Sequence, residues 1–299
     1  MATSTLRMKI YGSRGSYSPT TGAATSVGVN TTCIRFDVGD HVIILDAGSG
    51  IINCGKDLFG HFQERGAKRW TVHMLFTHLH IDHLVGFPYF AMLYVPQSDI
   101  RFLSPKILDY TLEDVLDGFF HPPLFPVDMD DLPFAREFHQ VVEKRAIYFD
   151  AGGFTMVDAG EAAPAEWLVK ITAMRTYMHP KGGAFFYRFD TPAGNAVVIA
   201  SDTEGYAGGD HRLIEFARGA DVLFHDAQYL PEEYPRFQGF GHSTYEMACD
   251  VAQRAGVKTL LLGHHDPRYD DATLRELEAR ARAIFPGAEL AVESTEFEF

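Results

Sequence analysis

The stretch Thr77-His78-Leu79-His80-Ile81-Asp82-His83 puts three imidazoles and one carboxylate within six residues. Imidazole and carboxylate together suit zinc, manganese or iron. In an ordinary core these groups would converge with nothing to neutralise them, which is costly for buried polar atoms. A solvated histidine-rich turn is the alternative. The motif follows Val72–Phe76, a compact apolar run that reads as a buried strand, so the ligands stand where a strand gives way to a helix.

The elements that must carry this turn can be read around it. The first strand begins at Met8–Tyr11 and ends in a Gly/Ser loop, Gly12-Ser13-Arg14-Gly15-Ser16, which continues through Pro19 and Gly22 to Gly28. Cys33–Val38 and His41–Leu45 form a hairpin signal joined by Gly39-Asp40. From Leu84 to Val95 the pattern is helical and is stopped by Pro96. Ser104-Pro105 then reads as the N-cap and first position of a helix reaching Phe119. His121–Phe134, with Pro122, Pro123, Pro126 and Pro133, is a long loop that packs in place, walls a pocket or meets a second copy. Strands are expected at Ala146–Phe149, Leu168–Tyr177, Phe185–Phe189, Ala196–Ala200, Asp221–Phe224 and Val257–Leu262. Ser243-Thr244-Tyr245-Glu246 fits a capping box opening a helix that ends at Gly256; Ala272–Ile284 is a last amphipathic helix before a short strand. Strands lead and helices follow in each half. That order predicts an α/β protein of four layers, an αββα sandwich of two mixed β-sheets with helices outside. No linker interrupts it, so residues 1–299 read as one domain.

Composition narrows the partners. The 299 residues carry 40 acidic against 26 basic side chains, a formal charge of -14, whereas binding along nucleic-acid phosphates calls for clustered Lys and Arg. No stable nucleic-acid complex is expected. Cys33, Cys54 and Cys249 form no C-x-x-C pair, which argues against a disulfide framework or a thiolate zinc knuckle. No apolar run approaches the roughly 18 residues of a membrane span. Met1–Lys9 lacks the core of a signal peptide, so the expectation is a cytoplasmic protein with no membrane partner.

The H-x-H-x-D-H pattern at a strand end resembles the signature of the metallo-β-lactamase superfamily. Other parts of that pattern stand in the same order: Asp46 in Leu45-Asp46-Ala47-Gly48-Ser49-Gly50, His179 before Pro180, Asp202 after Ala196–Ala200, and His264 after Val257–Leu262. Gly241-His242-Ser243-Thr244 and His264-His265-Asp266-Pro267-Arg268-Tyr269 resemble segments of ribonuclease Z and its small-molecule phosphodiesterase relatives. The second of these selects His264 over His265 as ligand. Between His179 and Asp202 lies only a short Phe185–Ala200 hairpin, without the long Gly/Pro-rich arm of tRNA-processing members.

The resemblance implies two divalent ions, zinc first and manganese or iron next. His78, His80 and His179 would hold one, Asp82, His83 and His264 the other, and Asp202 would bridge them. Such a pair activates a shared water and stabilises both attacking and leaving oxygens. It implies a phosphodiesterase acting on a small phosphorylated substrate such as a cyclic nucleotide, and a homodimer. Asp82 and His242 are the expected catalytic residues, His242 as proton donor or phosphate ligand. Arg14 and Arg268 are candidates to pair with phosphate, and Asp46 to orient a ligand histidine. Hydrolysis of a lactone, thioester or β-lactam is the alternative chemistry, and a non-catalytic metal- or nucleotide-binding module the alternative class.

Overall fold

A fully apolar five-residue run such as Ala196–Ala200 suits a strand covered on both faces. In chain order the computed structural model, which describes residues 5–20, 25–206 and 208–299, contains β1 (Leu6–Gly12), β2 (Cys33–Val38), β3 (His41–Leu45), α1 (Ile51–Glu64), β4 (Trp70–Leu75), β5 (Ser98–Pro105), α2 (Leu112–Phe119), β6 (Ala135–Val141), β7 (Arg145–Asp150), β8 (Gly153–Asp158), β9 (Val169–Thr176), β10 (Ala184–Asp190), β11 (Ala196–Ala200), α3 (His211–Phe216), β12 (Val222–Asp226), α4 (Tyr245–Ala255), β13 (Thr259–Gly263), α5 (Asp271–Ile284), β14 (Ala288–Leu290) and β15 (Glu296–Glu298). Gly22 of the opening loop lies outside the described residues.

The strands form two sheets, β15-β1-β2-β3-β4-β5-β6 and β14-β13-β12-β11-β10-β9-β7-β8. Both are mixed. β3 to β6 run parallel, as do β11 to β14, while β1–β3 and β7–β10 pair antiparallel along each chain path, with β11 also antiparallel to β10. Between the sheets lies one apolar layer, in which Phe36 and Phe189 stack across the gap at 4.0 Å. Alternation along β11 sends Val197 and Ile199 into this layer, and Val198 and Ala200 outward beneath Ala248, Ala252 and Leu277. On the other side α1 and α2 cover Ile44, Val72, Met74 and Phe102 with Ile51, Leu58 and Leu116. This is the expected αββα sandwich.

Several local readings change. Ser104-Pro105 ends β5 instead of opening a helix, because Ile100, Phe102 and Leu103 are buried in register with β4. The helix that follows starts at Leu112, capped by Thr111, whose hydroxyl and backbone N–H pair reciprocally with Asp114. Leu84–Val95 is broken into 3-10 turns at Phe87–Tyr89 and Ala91–Tyr94, with Pro88 inside the first. The cap of α4 is Thr244, not Ser243, since the Ser243 hydroxyl donates to the Thr203 carbonyl at 2.6 Å. Gly256 closes that helix in the left-handed region, as the sequence suggests. The helices α1 and α3, the strands β6 and β8 and a second strand after α5 stand beyond the elements expected from the sequence. Within His121–Phe134, Met129, Leu132 and Phe134 are buried against sheet one, so this loop packs in place.

Candidate metal centre

Three loops at the ends of parallel strands converge on one point. Thr77–His83 follows β4, Asp202 follows β11 and His264 follows β13. The ends of parallel strands are where α/β sheets gather functional side chains. Asp46, at the end of β3, organises the first loop. Its buried carboxylate accepts the Thr77 N–H and hydroxyl, each at 2.8 Å, and pairs with His83 Nδ1 at 2.8 Å. That bond turns His83 Nε2 toward Asp202 Oδ1, 3.2 Å away. Asp46, Asp202 and His264 all hold positive φ, at 60°, 53° and 54°, backbone strain of the kind concentrated at functional sites.

His78, His80 and His179 form one group of converging ligand atoms, and Asp82, His83, Asp202 and His264 a second, the atoms within each lying within 4.8 Å of one another. His80 Nδ1 lies 2.9 Å from His179 Nε2. Asp202 stands between the groups, with Oδ2 3.7 Å from both His78 and His179 and 3.2 Å from His264. His179 Nδ1 donates to the Gly241 carbonyl at 2.9 Å, and His264 Nδ1 to Gln228 Oε1 at 2.8 Å, so in each ring Nε2 is the nitrogen free to ligate. His265 joins neither group. Close approach explains Gly15: a Cβ there would lie 2.3 Å from His264 Nδ1.

The donor set fits divalent cations. His78 Nε2 and His83 Nε2 are buried with no hydrogen-bond partner and belong to the converging groups. Burial opposes charge on every member, yet the carboxylates dominate the second group. Burial lowers His83, but Asp202, Asp82 and Asp46 outweigh it and hold the ring well above its ordinary value. His264 is likewise pushed up to about 9 against burial, chiefly by Asp202 and Asp82. Asp82 and Asp202 stay well below the usual carboxylate range in spite of burial, because His83 and His264 face them. In the first group burial prevails, pushing His78 well down and His179 to about 4, which keeps these rings neutral and able to ligate.

Beside both groups sits His242, its ring 4.7 Å from His264 and 5.0 Å from His179. Its Nδ1 donates to Asp226 Oδ2 at 2.7 Å. Asp226, at the end of β12 between the strands that deliver Asp202 and His264, is fully buried and also accepts backbone N–H groups of Thr203, Gln228 and Ser243. Glu204 binds Tyr234 Oη and the N–H groups of Gly239 and Gly241, fixing the segment whose carbonyl orients His179. Nothing in the sequence singles out Gln228 or Glu204, whereas His225-Asp226 directly follows the expected strand Asp221–Phe224, a place that suits a supporting role without naming a partner. For Asp226 the available signal was position at a strand end beside two others that carry ligands.

The two arginines part ways. Arg14 is fully buried; its Nε donates to the Gly28 carbonyl and its Nη1 to those of Asp266 and Tyr269, while Nη2 has no partner. It ties the opening loop to the segment after His264 and has no face for a phosphate, contrary to the expectation. Arg14→Met is expected to cost about 3 kcal/mol of stability, since it strips donors from buried acceptors. A denaturant titration checks this, and the Michaelis constant of the folded fraction should stay unchanged. Arg268 is half exposed and paired with Asp266 and Glu233, with no bond to the cluster. In front of His78 and His80 opens a cavity of about 440 Å³ walled by Leu79, Ile107, Leu108, Tyr110, Pro180 and Lys181.

Residues 50–265, more than half of the chain, match the Beta-lactamase superfamily domain. A ribonuclease Z from Geobacillus kaustophilus is 29% identical over 249 residues, 75% of this chain and 80% of that protein. Among solved structures, the metallo-β-lactamase fold protein YhfI from Bacillus subtilis superposes with a TM-score of 0.67 at 19% identity, over 99% of this chain and 100% of that one. The short form of human tRNase Z does so with a TM-score of 0.63 at 18% identity, over 97% and 98%. With its two converging groups of histidines and aspartates able to hold metal ions, the chain belongs to the metallo-β-lactamase superfamily and is related to its ribonuclease Z-type hydrolases.

Proposed function

We propose that the protein is a two-metal phosphodiesterase acting on a small phosphodiester such as a cyclic nucleotide, with residues 1–299 working as one domain. The observation that carries this reading is the Asp226–His242 pair set against both ligand groups. A carboxylate behind an imidazole fixes the tautomer in which Nε2 can pass a proton to a departing oxygen. His78, His80 and His179 would hold one ion and Asp82, His83 and His264 the other, with Asp202 placed between the two groups. When bound, the ions supply an activated water and offset charge on the phosphate. Asp82 keeps its carboxylate in place through the Ser16 N–H at 2.9 Å and orients the attacking water. Tyr110 offers a flat face to a base or aryl group, and Lys181 a cation to a second anionic group.

The ribonuclease Z relatives are named for cleaving RNA. Here the described residues between His179 and Asp202 form only the β10–β11 hairpin and its flanking loops, and the net charge is -14, so a small substrate is favoured. Zinc is the first choice of metal, manganese or iron next. Protein assayed for bound metal should hydrolyse a bis-aryl phosphodiester or a cyclic nucleotide at least about tenfold faster than a lactone. Metal-replete protein that turns over the lactone and no phosphodiester would place the chemistry at carbonyl carbon instead.

A further inference from the structure

Sheet one changes character along the face it turns toward sheet two. Toward the metal centre Leu45, Leu75 and Leu103 stand side by side in register, fully buried. Two residues earlier in each strand the row reads Ile43, His73, Arg101, Glu137, and beyond it Thr71 pairs with Asp99. Strand alternation puts all of these on the same inward face, where apolar side chains would be the stable choice. Instead Thr71, His73, Asp99, Arg101 and Glu137 line a cleft of about 700 Å³ at the starts of β4, β5 and β6, the end of the sheet opposite the metal centre. The β7–β8 turn at Gly152–Gly153 and Phe154 form its opposite wall.

Three imidazoles meet there. His73 is 3% exposed, and its Nδ1 has no hydrogen-bond partner; His139 Nε2 makes no hydrogen bond either, standing 3.5 Å from Glu137 Oε2. The His73 ring lies 4.8 Å from Phe149, 5.6 Å from Phe154 and 5.5 Å from His41, and His41 Nε2 bonds the Asp150 carbonyl. Arg101 and Arg69 both hold Asp99, Arg101 also holds Glu137, and Arg65 holds Asp40. Guanidiniums and carboxylates thus cancel three against three in the lining, so the imidazoles are the groups whose protonation would give the cleft a positive sign. Burial keeps His73 neutral, at about 3, with repulsion from His41, Arg101 and His139 adding to it. An oxyanion at this point would turn that repulsion into attraction and give the orphaned nitrogens a partner. A metal ion does not suit the same residues: among the described residues they form no group of ligand atoms within 4.8 Å of one another.

We propose that this cleft is a second binding site, separate from the metal centre, for a small oxyanion carried on a flat ring and of about mononucleotide size. The oxyanion pairs with His73 and His139 and takes the place of the half-exposed Glu137 carboxylate on Arg101 Nη1, while Arg101 Nε and Nη2 stay on Asp99; the ring packs against Phe62 and Phe154. The volume falls in the range of about 300–1,000 Å³ typical of small-molecule pockets.

The test titrates the metal-loaded protein calorimetrically with adenosine 5′-monophosphate, phenyl phosphate and inorganic phosphate, in the native protein and in His73→Leu and Arg101→Met. Any binding at the metal centre is common to all three proteins, so the difference reports the cleft. Both variants should bind the two ring-bearing probes at least tenfold more weakly, with turnover of a bis-aryl phosphodiester unchanged. Inorganic phosphate should bind the native cleft at least tenfold more weakly than phenyl phosphate. Removing the orphaned imidazole should also raise the melting temperature of His73→Leu by about 2–4 °C. Equal affinities in native and variant proteins would overturn the proposal, as would inorganic phosphate binding as tightly as the ring-bearing probes. Should His73→Leu fail to fold, Arg101→Met decides alone. The binding comparison stands even if no phosphodiester is turned over, so the two readings fail separately.

Discussion

Asp82→Ala is expected to lower phosphodiester turnover by on the order of 10³-fold or more, the scale of losing a group on which the reacting constellation depends. Three contacts of Asp82 Oδ2 explain why. It accepts the Ser16 N–H at 2.9 Å and faces His264 Nε2 at 3.3 Å and His83 Nε2 at 3.6 Å. Alanine removes a negative charge from a group that otherwise keeps only Asp202 to balance two imidazoles, and it frees the opening loop from the cluster. Occupancy of one ion should fall, while that of the other, held by His78, His80 and His179, should fall less. Paired metal analysis and kinetics check this. A variant that keeps both ions and more than a tenth of the native rate would show that Asp82 neither ligates nor orients the water. Asp82→Asn, which can still accept from Ser16, separates the causes: its loop should stay docked and its rate should still collapse.

How much of this was legible beforehand depends on where each residue's partners lie. The Thr77–His83 motif can be read from one heptapeptide because its ligands share a turn, and β2, β3 and β11 because their apolar runs are bounded by Gly39-Asp40 or polar residues. The helix α1 was harder. Its apolar residues Ile51, Cys54, Leu58 and Phe62 fall at helical spacing, but Gly50, Gly55 and Gly60 interrupt the pattern and suggest turns. Ser104-Pro105 misled because a proline after a serine satisfies the rule for a helix start, while the strand that contains it is set by pairing with β4 and β6, far away in sequence. Arg14 misled for a similar reason. A loop arginine looks free until the carbonyls of Asp266 and Tyr269, some 250 residues on, are seen to receive it. Asp226 and Gln228 follow the same logic: each acts on a histidine that only the fold brings near.

The Asp226–His242 pair yields the second large effect, and one that separates two roles for the same ring. His242→Ala is expected to reduce turnover of an ester with an alkoxide leaving group by about 10²–10⁴-fold, the usual worth of a positioned proton donor. A nitrophenolate leaves without a proton, so the same variant should lose far less on a bis-nitrophenyl phosphodiester. Geometry leaves a competing role in view, because His242 also converges with His179 and Asp202, and with Asp226 and His264, at ligand spacing. A ligand lost from either ion would depress both substrates alike and lower the metal content. The proton-donor role predicts full metal content and a loss that grows with the basicity of the leaving group. Asp226→Asn sharpens the distinction. Asparagine can keep the hydrogen bond to His242 Nδ1 at 2.7 Å, yet it removes the charge that stabilises the imidazolium. Its loss should therefore follow the same leaving-group trend as His242→Ala, at smaller size, with both ions in place.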